Sequence, residues 1–287
     1  MVTPAIRDQV TGLIGDAEWL TAGGTDSESQ TFLVGRHVVK IRCTGSFLAR
    51  LTGQILTDVH RALHGTGLAP ELVELRWIDA QLVSVHERVT AEYRPDPGEI
   101  GDALAQAHHH LAAVAARWTY PWLGFYGEYA EFAAVIPAIG DDSLREQALA
   151  LLPTARRPPP AGPVQYVHRD LHARNVLGTV SGVCLIDWEL AHTGLALDDA
   201  AMALCCLAES WVPSERPGAA LEFLAAYRRR AGDDRADLGD AGFRSAMALS
   251  GLRQGVAAWF DDEGICNQPY WPSVRARMQL ARELLSV

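Results

Sequence analysis

Residues 166–177 read YVHRDLHARNVL, and residues 185–189 read LIDWE. β-rich residues flank and join the two stretches, and this pattern predicts a strand, a tight loop, a hairpin and a short acidic motif after the last strand. Asp170 and Asn175 lie at the two ends of the loop, and Asp187 follows the last strand. We therefore expect these three side chains to converge on one point.

Phosphoryl transfer needs a carboxylate near the attacking hydroxyl and oxygen ligands for the Mg²⁺ that the nucleotide phosphates carry. Asp170 fits the first requirement, and Asn175 and Asp187 fit the second. Taken singly, each residue is better explained as a turn residue, an Asx motif or a strand-end cap. Three matches in order, in a strand–loop–strand context, favour phosphoryl transfer. Hard oxygen ligands without a nearby cysteine suit Mg²⁺ rather than zinc.

Residues 168–175 meet the pattern H-R-D-L-x-x-x-N at every fixed position. The stretch resembles the kinase-like phosphotransferases, and the aminoglycoside and choline kinase group more closely than the protein kinases. The resemblance implies that Asp170 is the catalytic base and that His168 orders the catalytic loop. It implies Asn175 and Asp187 as metal ligands, and ATP and Mg²⁺ as cofactors.

The resemblance also implies an α+β, bilobal, protein-kinase-like fold. A small N-terminal β-sheet lobe with one helix would span residues 1–88, and a larger, mostly helical C-terminal lobe would span 89–287. The residue pattern is consistent with this division, because β-rich runs come first, at 31–34, 37–42, 72–75 and 81–86. The first two runs are separated by two residues, Gly35-Arg36, which predicts a tight hairpin. One helix is predicted among them, over 46–64. Later helices are predicted at 98–117, 140–152, 195–209, 217–230, 241–260 and 273–286.

Lys40 is the only lysine among 25 basic residues. Its position on a predicted strand places Val39 and Ile41 on the opposite face of the sheet. By composition alone, the lone lysine is equally well explained by chance; its place on a strand before a helix favours a site that needs a compact point charge, such as one for a nucleotide phosphate. The resemblance implies that Lys40 contacts the α- and β-phosphates.

The resemblance implies two further nucleotide contacts. A turn of small polar residues, 23–29, would cover the phosphates, with Ser27 and Ser29 near them. A hinge running from Glu87 to Val89 would hold adenine through backbone groups. The glycine-rich turn is by itself also typical of an ordinary hairpin start.

Kinases of this kind place a glutamate on the helix after the lysine strand, paired with that lysine. The expected spacing falls near Leu56, which is apolar. Asp58 lies on the flank of the apolar stripe of this helix and is the candidate partner of Lys40. An exposed helix charge explains Asp58 equally well.

The acceptor is predicted to be a small molecule. A protein kinase needs a mobile activation segment and an Ala-Pro-Glu motif after the metal-binding aspartate. Here the motif at 187–189 is Asp-Trp-Glu, and a mostly apolar helix is predicted directly after it, at 195–207. That helix leaves no room for a phosphorylated loop.

A cationic acceptor is favoured by acidic residues late in the chain and by one beside the metal motif. Asp261, Asp262 and Glu263 follow a predicted helix, where their charges oppose the helix dipole. These three residues and Glu189 are candidate ligands for substrate ammonium groups, and a solvated turn is the alternative for the three. An aminoglycoside-type antibiotic is the leading acceptor. An amino alcohol, a basic peptide antibiotic, a macrolide or a sugar remains open, as does a nucleotide-binding pseudokinase.

Composition restricts the partners. The chain of 287 residues is 48% hydrophobic and carries a net charge of −10, which disfavours nucleic acid and suits a cation. It has no apolar run of membrane-spanning length and no signal-peptide pattern at its start. Five cysteines without framework spacing are typical of reduced, buried thiols. We expect a cytoplasmic monomer or homodimer.

Two other features stay open. Asp199 matches the aspartate of the loop-to-helix element that follows the metal site in small-molecule kinases, and a helix N-cap explains it equally well. The histidine run at 108–110 lacks a carboxylate at ligand spacing, so we interpret it as one side of a helix rather than as a metal site.

Overall fold

The computed structural model describes residues 2–22, 29–42, 47–115, 133, 136–155, 164–207, 218–232, 241–260 and 281–282. The N-terminal strands are β1 (Trp19–Thr21), β2 (Ser29–Val34), β3 (His37–Arg42), β4 (Leu72–Ile78) and β5 (Gln81–Glu87). They form one antiparallel sheet in the order β1-β2-β3-β5-β4. The predicted β2–β3 hairpin is confirmed, and Lys40 lies near the centre of the sheet.

Strand β3 alternates strictly between buried and half-buried residues. Val39 and Ile41 are fully buried, and they share a cluster with Ile6 of helix α1 (Pro4–Ile14). Because successive side chains of a strand point to opposite faces, Lys40 is left on the face away from α1. The sheet therefore packs one face on α1 and presents Lys40 on the other.

The C-terminal part is mostly helical. Its helices are α3 (Pro97–Ala112), α4 (Asp142–Ala155), α5 (Ala196–Leu207), α6 (Ala219–Ala231) and α7 (Ala241–Phe260). Asp96 begins α3 with a capping box. Its side chain accepts a hydrogen bond from the Glu99 backbone amide, and the Glu99 carboxylate accepts one from the Asp96 backbone amide. The predicted helices agree with these bounds to within a few residues, except that α3 ends five residues early. Only residues 281–282 of the predicted last helix are described.

Two short two-stranded sheets lie between the helices. Strand β6 (Val164–Val167) pairs with β9 (His192–Leu195), and β7 (Val176–Thr179) pairs with β8 (Gly182–Leu185). The predicted catalytic loop connects β6 to β7. The acidic motif follows β8 directly, and the Ile186 carbonyl just before it lies 2.9 Å from His168 Nε2 at the start of the loop, so the two segments are in contact.

Helix α2 (Phe47–Leu63) connects the two parts of the molecule. Its buried residues Leu51, Ile55 and Val59 belong to the same apolar cluster as Leu104 of α3 and Trp188, whereas the sheet forms a separate cluster with α1. The helix was predicted from its period within the N-terminal lobe. Its apolar face in fact extends the C-terminal core. No helix in the described ranges is long and apolar enough to cross a membrane.

Candidate active site

A cavity of about 440 Å³ opens between the five-stranded sheet and the β7–β8 hairpin. Six of the predicted site residues line it: Lys40, Glu87, Val89, Asn175, Asp187 and Glu189. They come from three separated parts of the chain, the β3 strand, the end of β5, and the loop and acidic motif around β7 and β8. The fold thus brings Lys40, the two hinge residues and both predicted metal ligands to one place, together with Glu189.

The catalytic loop is held from inside by His168. Its ring is fully buried, Nε2 donates to the Ile186 carbonyl at 2.9 Å, and Nδ1 accepts from the Asp170 amide at 3.3 Å. Burial lowers the pKa of His168, against the opposing effect of nearby carboxylates. A neutral ring with its proton on Nε2 makes both bonds, so the histidine ties the loop to the strand end that carries Asp187.

Asn175 closes the other end of the loop onto Asp170. Its Nδ2 donates to the Asp170 carbonyl at 2.9 Å and to the Asp170 carboxylate Oδ2 at 3.3 Å. Because the amide nitrogen is used in this way, the Asn175 side-chain oxygen is the atom left to accept or to ligate. The Asp170 carboxylate stays one-third exposed, with His172 Nε2 at 3.8 Å from its Oδ2.

Asp199, in the first turn of α5, fixes the start of the catalytic loop. Its carboxylate accepts from the backbone amides of His168 at 2.8 Å and Arg169 at 2.7 Å, and it contacts His108 Nε2 at 3.0 Å. Burial would raise the pKa of Asp199, but the bond and charge of His108 outweigh this and hold that pKa below its usual range. Asp199 therefore acts as an anchor inside the helix rather than as its N-cap.

His108 is a site residue that the sequence did not reveal. Its Nδ1 lies 2.8 Å from the Tyr227 hydroxyl, so it bridges α6 to Asp199 on α5. The adjacent His109 and His110 are exposed. A buried position within a three-histidine run, on the inner side of an amphipathic helix, was the signal available.

Lys40 is bonded to two carboxylates of the acidic motif. Its Nζ lies 2.7 Å from Asp187 Oδ1 and 3.0 Å from Glu189 Oε1. Burial alone would lower the pKa of Lys40, but the charges of Glu189 and Asp187 outweigh it and raise that pKa. The Lys40 charge in turn lowers the pKa of Asp187, against burial. Both groups are therefore ionised at neutral pH.

One predicted pairing is corrected by these contacts. The pairing of Asp58 with Lys40 is wrong, because Asp58 accepts from the Tyr166 hydroxyl at 3.0 Å and lies 3.4 Å from Arg61. The flank of α2 that carries Asp58 faces strand β6, not the cavity. The acceptor-binding role of Glu189 stays a prediction; in the structure its two oxygens contact Lys40 at 3.0 Å and Arg42 at 3.4 Å.

Two residues of this site have a strained backbone. Arg169 and Asp187 both have a φ of +67°, in the left-handed region that non-glycine residues seldom adopt. Such conformations persist where surrounding contacts fix them, which here include the bonds of Asp199 and Lys40.

Ser29, a predicted phosphate contact, begins β2, opposite Arg42. The other predicted residues, Ser27, Asp261, Asp262 and Glu263, lie outside the described residues.

A family model of phosphotransferases matches most of the chain. The family described as APH, phosphotransferase enzyme family, matches residues 36–260. No curated protein matches the chain significantly.

Solved structures share the fold at low sequence identity. A thermostable mutant of aminoglycoside phosphotransferase APH(4)-Ia, in a ternary complex with AMP-PNP and hygromycin B, is 15% identical with a TM-score of 0.63, over 99% of this chain and 98% of that one. Spectinomycin phosphotransferase APH(9)-Ia is 12% identical with a TM-score of 0.64, over 94% and 93%. A choline/ethanolamine kinase family protein from Mesorhizobium loti is 17% identical with a TM-score of 0.58, over 97% and 91%.

These neighbours confirm the predicted α+β, bilobal, protein-kinase-like fold. The family match covers well over half of the 287 residues and includes β3, the catalytic loop and the acidic motif. The residue pattern of the catalytic loop predicted this family, and the chain therefore belongs to the phosphotransferase enzyme family.

Proposed function

We propose that the protein is an ATP- and Mg²⁺-dependent O-phosphotransferase that moves the γ-phosphate to a hydroxyl of a cationic small molecule, an aminoglycoside-type antibiotic. The observation that carries the proposal is the single cavity that joins Lys40, Asn175 and Asp187 beside Asp170. A base, a phosphate-binding cation and two oxygen ligands are the groups that phosphoryl transfer requires.

The nucleotide is proposed to enter with its base at the end of β5. The Glu87 amide already donates to the Glu71 carbonyl at 2.9 Å, so the base would use the Glu87 carbonyl and the Val89 amide. Leu177 and Ile186 offer apolar surface below it, and Lys40 lies deeper in the same cavity. This arrangement would place the phosphates toward the catalytic loop.

The donor set fits a hard divalent cation. The Asp187 carboxylate and the Asn175 side-chain oxygen face one end of the cavity, and oxygen ligands of this kind suit Mg²⁺. Mg²⁺ held there would neutralise charge that develops on the transferred phosphoryl group. Asp170 would accept the hydrogen bond of the acceptor hydroxyl and take its proton as the new P–O bond forms.

The proposal of a cationic acceptor is supported by the net charge of −10 and by the carboxylates Asp261, Asp262 and Glu263. Structural neighbours have been solved with hygromycin B, spectinomycin and kanamycin, and others are choline kinases. An amino alcohol is therefore the second candidate. We place the enzyme in the cytoplasm, where ATP is available, as a monomer or homodimer.

A coupled nucleotide-consumption screen tests this function. ATP and GTP would each be offered with aminoglycosides, spectinomycin, choline, a basic peptide antibiotic, a macrolide and a neutral sugar, with Asp170→Asn as the inactive control. We expect acceptor-dependent turnover with at least one cationic acceptor. Binding of Mg·ATP without turnover on any acceptor would instead support a pseudokinase, and turnover only on neutral acceptors would overturn the cationic class.

A further inference from the structure

Helix α2 supplies no carboxylate to the active-site lysine. In kinases an ion pair between the strand lysine and a glutamate of the following helix must form before the enzyme is active. Among the residues of α2, Leu56 and His60 line the cavity that contains Lys40. The only acidic residue of the helix, Asp58, is bonded to Tyr166 on β6.

Glu189 provides what the helix lacks. Its side chain is only 12% exposed, and Oε1 lies 3.0 Å from Lys40 Nζ. Oε2 lies 3.4 Å from Arg42, whose NH1 lies 3.4 Å from the Thr52 hydroxyl on α2. A chain of contacts thus runs from Lys40 on β3 through Glu189 and Arg42 to α2. It links the lysine strand to the helix, as a glutamate on the helix itself would do directly.

We propose that Glu189 is the positioning carboxylate of Lys40 and replaces the missing glutamate of α2. It holds the lysine in place for the nucleotide phosphates when Asp187 turns to the metal ion. This inference rests on the proposed function, since it assigns Lys40 to phosphates and Asp187 to Mg²⁺.

The charges of the cluster explain why a second carboxylate is needed. Lys40 and Arg42 face Asp187 and Glu189, so two positive charges balance two negative charges. Without Glu189, Asp187 is the only carboxylate among the described residues that contacts Lys40. A buried ammonium group strongly resists the loss of its last partner, so Lys40 would then compete with Mg²⁺ for Asp187.

The test is a set of variants read out by calorimetric binding of Mg·AMP-PNP and by kinetics with a working acceptor. We expect Glu189→Gln to raise the Mg²⁺ concentration needed for half-maximal nucleotide binding about tenfold, and to lower kcat/KM for ATP by about 10- to 100-fold. The KM of the acceptor should not change. Glu189→Asp should retain part of the function. Glu74→Gln, which removes a carboxylate paired with Arg76 outside the cavity, is the matched control and should behave as wild type.

The decisive variant restores the carboxylate from the helix. Leu56→Glu introduces it on α2 within the same cavity, and combined with Glu189→Gln it should recover at least about tenfold of the lost kcat/KM. A direct metal ligand or a purely structural residue would not be rescued in this way. A folded double variant without recovery would therefore overturn the proposal.

Two further outcomes distinguish failure of this inference from failure of the proposed function. If wild type binds Mg·AMP-PNP but phosphorylates no acceptor, the function fails while the binding measurements still test Glu189. If the double variant does not fold, Glu189→Gln alone tests the inference. Unchanged Mg²⁺ dependence of its nucleotide binding would overturn the inference, and a raised requirement would support it.

Discussion

Asp170 is the residue whose removal should separate chemistry from binding. Its carboxylate is held by Asn175 and remains about one-third exposed, whereas Asp187 contacts Lys40. We expect Asp170→Asn to lower kcat by about 10²- to 10⁴-fold, the usual contribution of a general base. Calorimetric binding of Mg·AMP-PNP should stay within about twofold of wild type. Near-normal turnover with a saturating acceptor would remove Asp170 from the role of base.

His60 makes the stability of the protein depend on pH. Burial lowers its pKa to about 4, and the Pro70 carbonyl only partly offsets this effect. The unfolded chain binds that proton near its ordinary pKa of about 6.5, so the free energy of unfolding should fall as pH drops from about 6.5 to about 4. The loss from His60 should reach about 3 kcal/mol at most. Its neighbour His86, with a ring centroid 4.9 Å away and a pKa also lowered by burial, acts in the same direction.

Denaturant unfolding at pH 7.5 and pH 5.0 measures this dependence. His60→Leu should reduce the difference in unfolding free energy between the two pH values, and His86 should leave a remainder. His64→Leu is the control, because His64 is largely exposed and lies outside the cavity. A pH dependence that His60→Leu leaves unchanged would show that other groups cause it.

Single residues were predictable from the sequence where the pattern was local. Asp170 and Asn175 lie within one loop, and Lys40 stood out as the only lysine. Asp199 and His108 were harder, because they are 91 residues apart and meet only through packing of their helices. The partner of Lys40 was predicted wrongly, since the choice between Asp58 and Glu189 depends on how α2 is rotated against the C-terminal core.

At the scale of elements, the contact between α3 and α6 depends on one glycine. A Cβ added to Gly101 would lie 2.2 Å from the Phe223 carbonyl oxygen and 3.0 Å from its carbonyl carbon, both of them backbone atoms. Gly101→Ala should force the helices apart and lower the free energy of unfolding by about 2–3 kcal/mol. This loss should occur although alanine favours helices by about 1 kcal/mol.

Gly12→Ala is the matched control for this change. Gly12 lies on the exposed side of α1, and nothing lies within 4 Å of an added Cβ. We expect the control to be stabilised by about 0.5–1 kcal/mol. Thermal melts of the two variants check the opposite signs, and a stabilised Gly101→Ala protein would contradict the close approach of α3 and α6.

Elements were more predictable than their packing. The period of apolar residues predicted α7 with both bounds correct, at Ala241–Phe260, and the paired β-rich runs predicted the β2–β3 hairpin. The end of α3 was predicted too late, at 117 rather than at Ala112. Alanine-rich sequence continues past that point, so composition alone gave no signal for the stop.

For the whole molecule, α2 decides how the two lobes unfold. Its apolar face lies in the C-terminal core, and Leu185 donates its amide to the Leu68 carbonyl at 2.8 Å across the lobes. We expect one cooperative transition in guanidinium chloride, with tryptophan fluorescence and circular dichroism coinciding. AMP-PNP with Mg²⁺ at 100 times its Kd should add about 2.7 kcal/mol to the free energy of unfolding. Two resolved transitions would show that residues 1–88 unfold independently.

Fold and family were predictable from the sequence, because the catalytic loop, the lysine strand and the acidic motif together specify a kinase-like cleft. Assignment to the small-molecule phosphotransferases was predictable too, since a helix follows the acidic motif closely. The acceptor was not, because its recognition depends on side chains brought together from distant segments rather than on one local pattern.

A single lysine also makes the protein a convenient reporter for covalent labelling. Apart from the amino terminus, an amine-directed acylating reagent finds one target, Lys40 Nζ, which two carboxylates hold as an ammonium and so make slow to react with reagents free in solution. An acyl phosphate of ADP or ATP would carry its reactive carbonyl to that same group. Intact-mass spectrometry would then show one added acyl group per chain, and the fraction of chains protected by unlabelled ATP would give nucleotide occupancy without any acceptor.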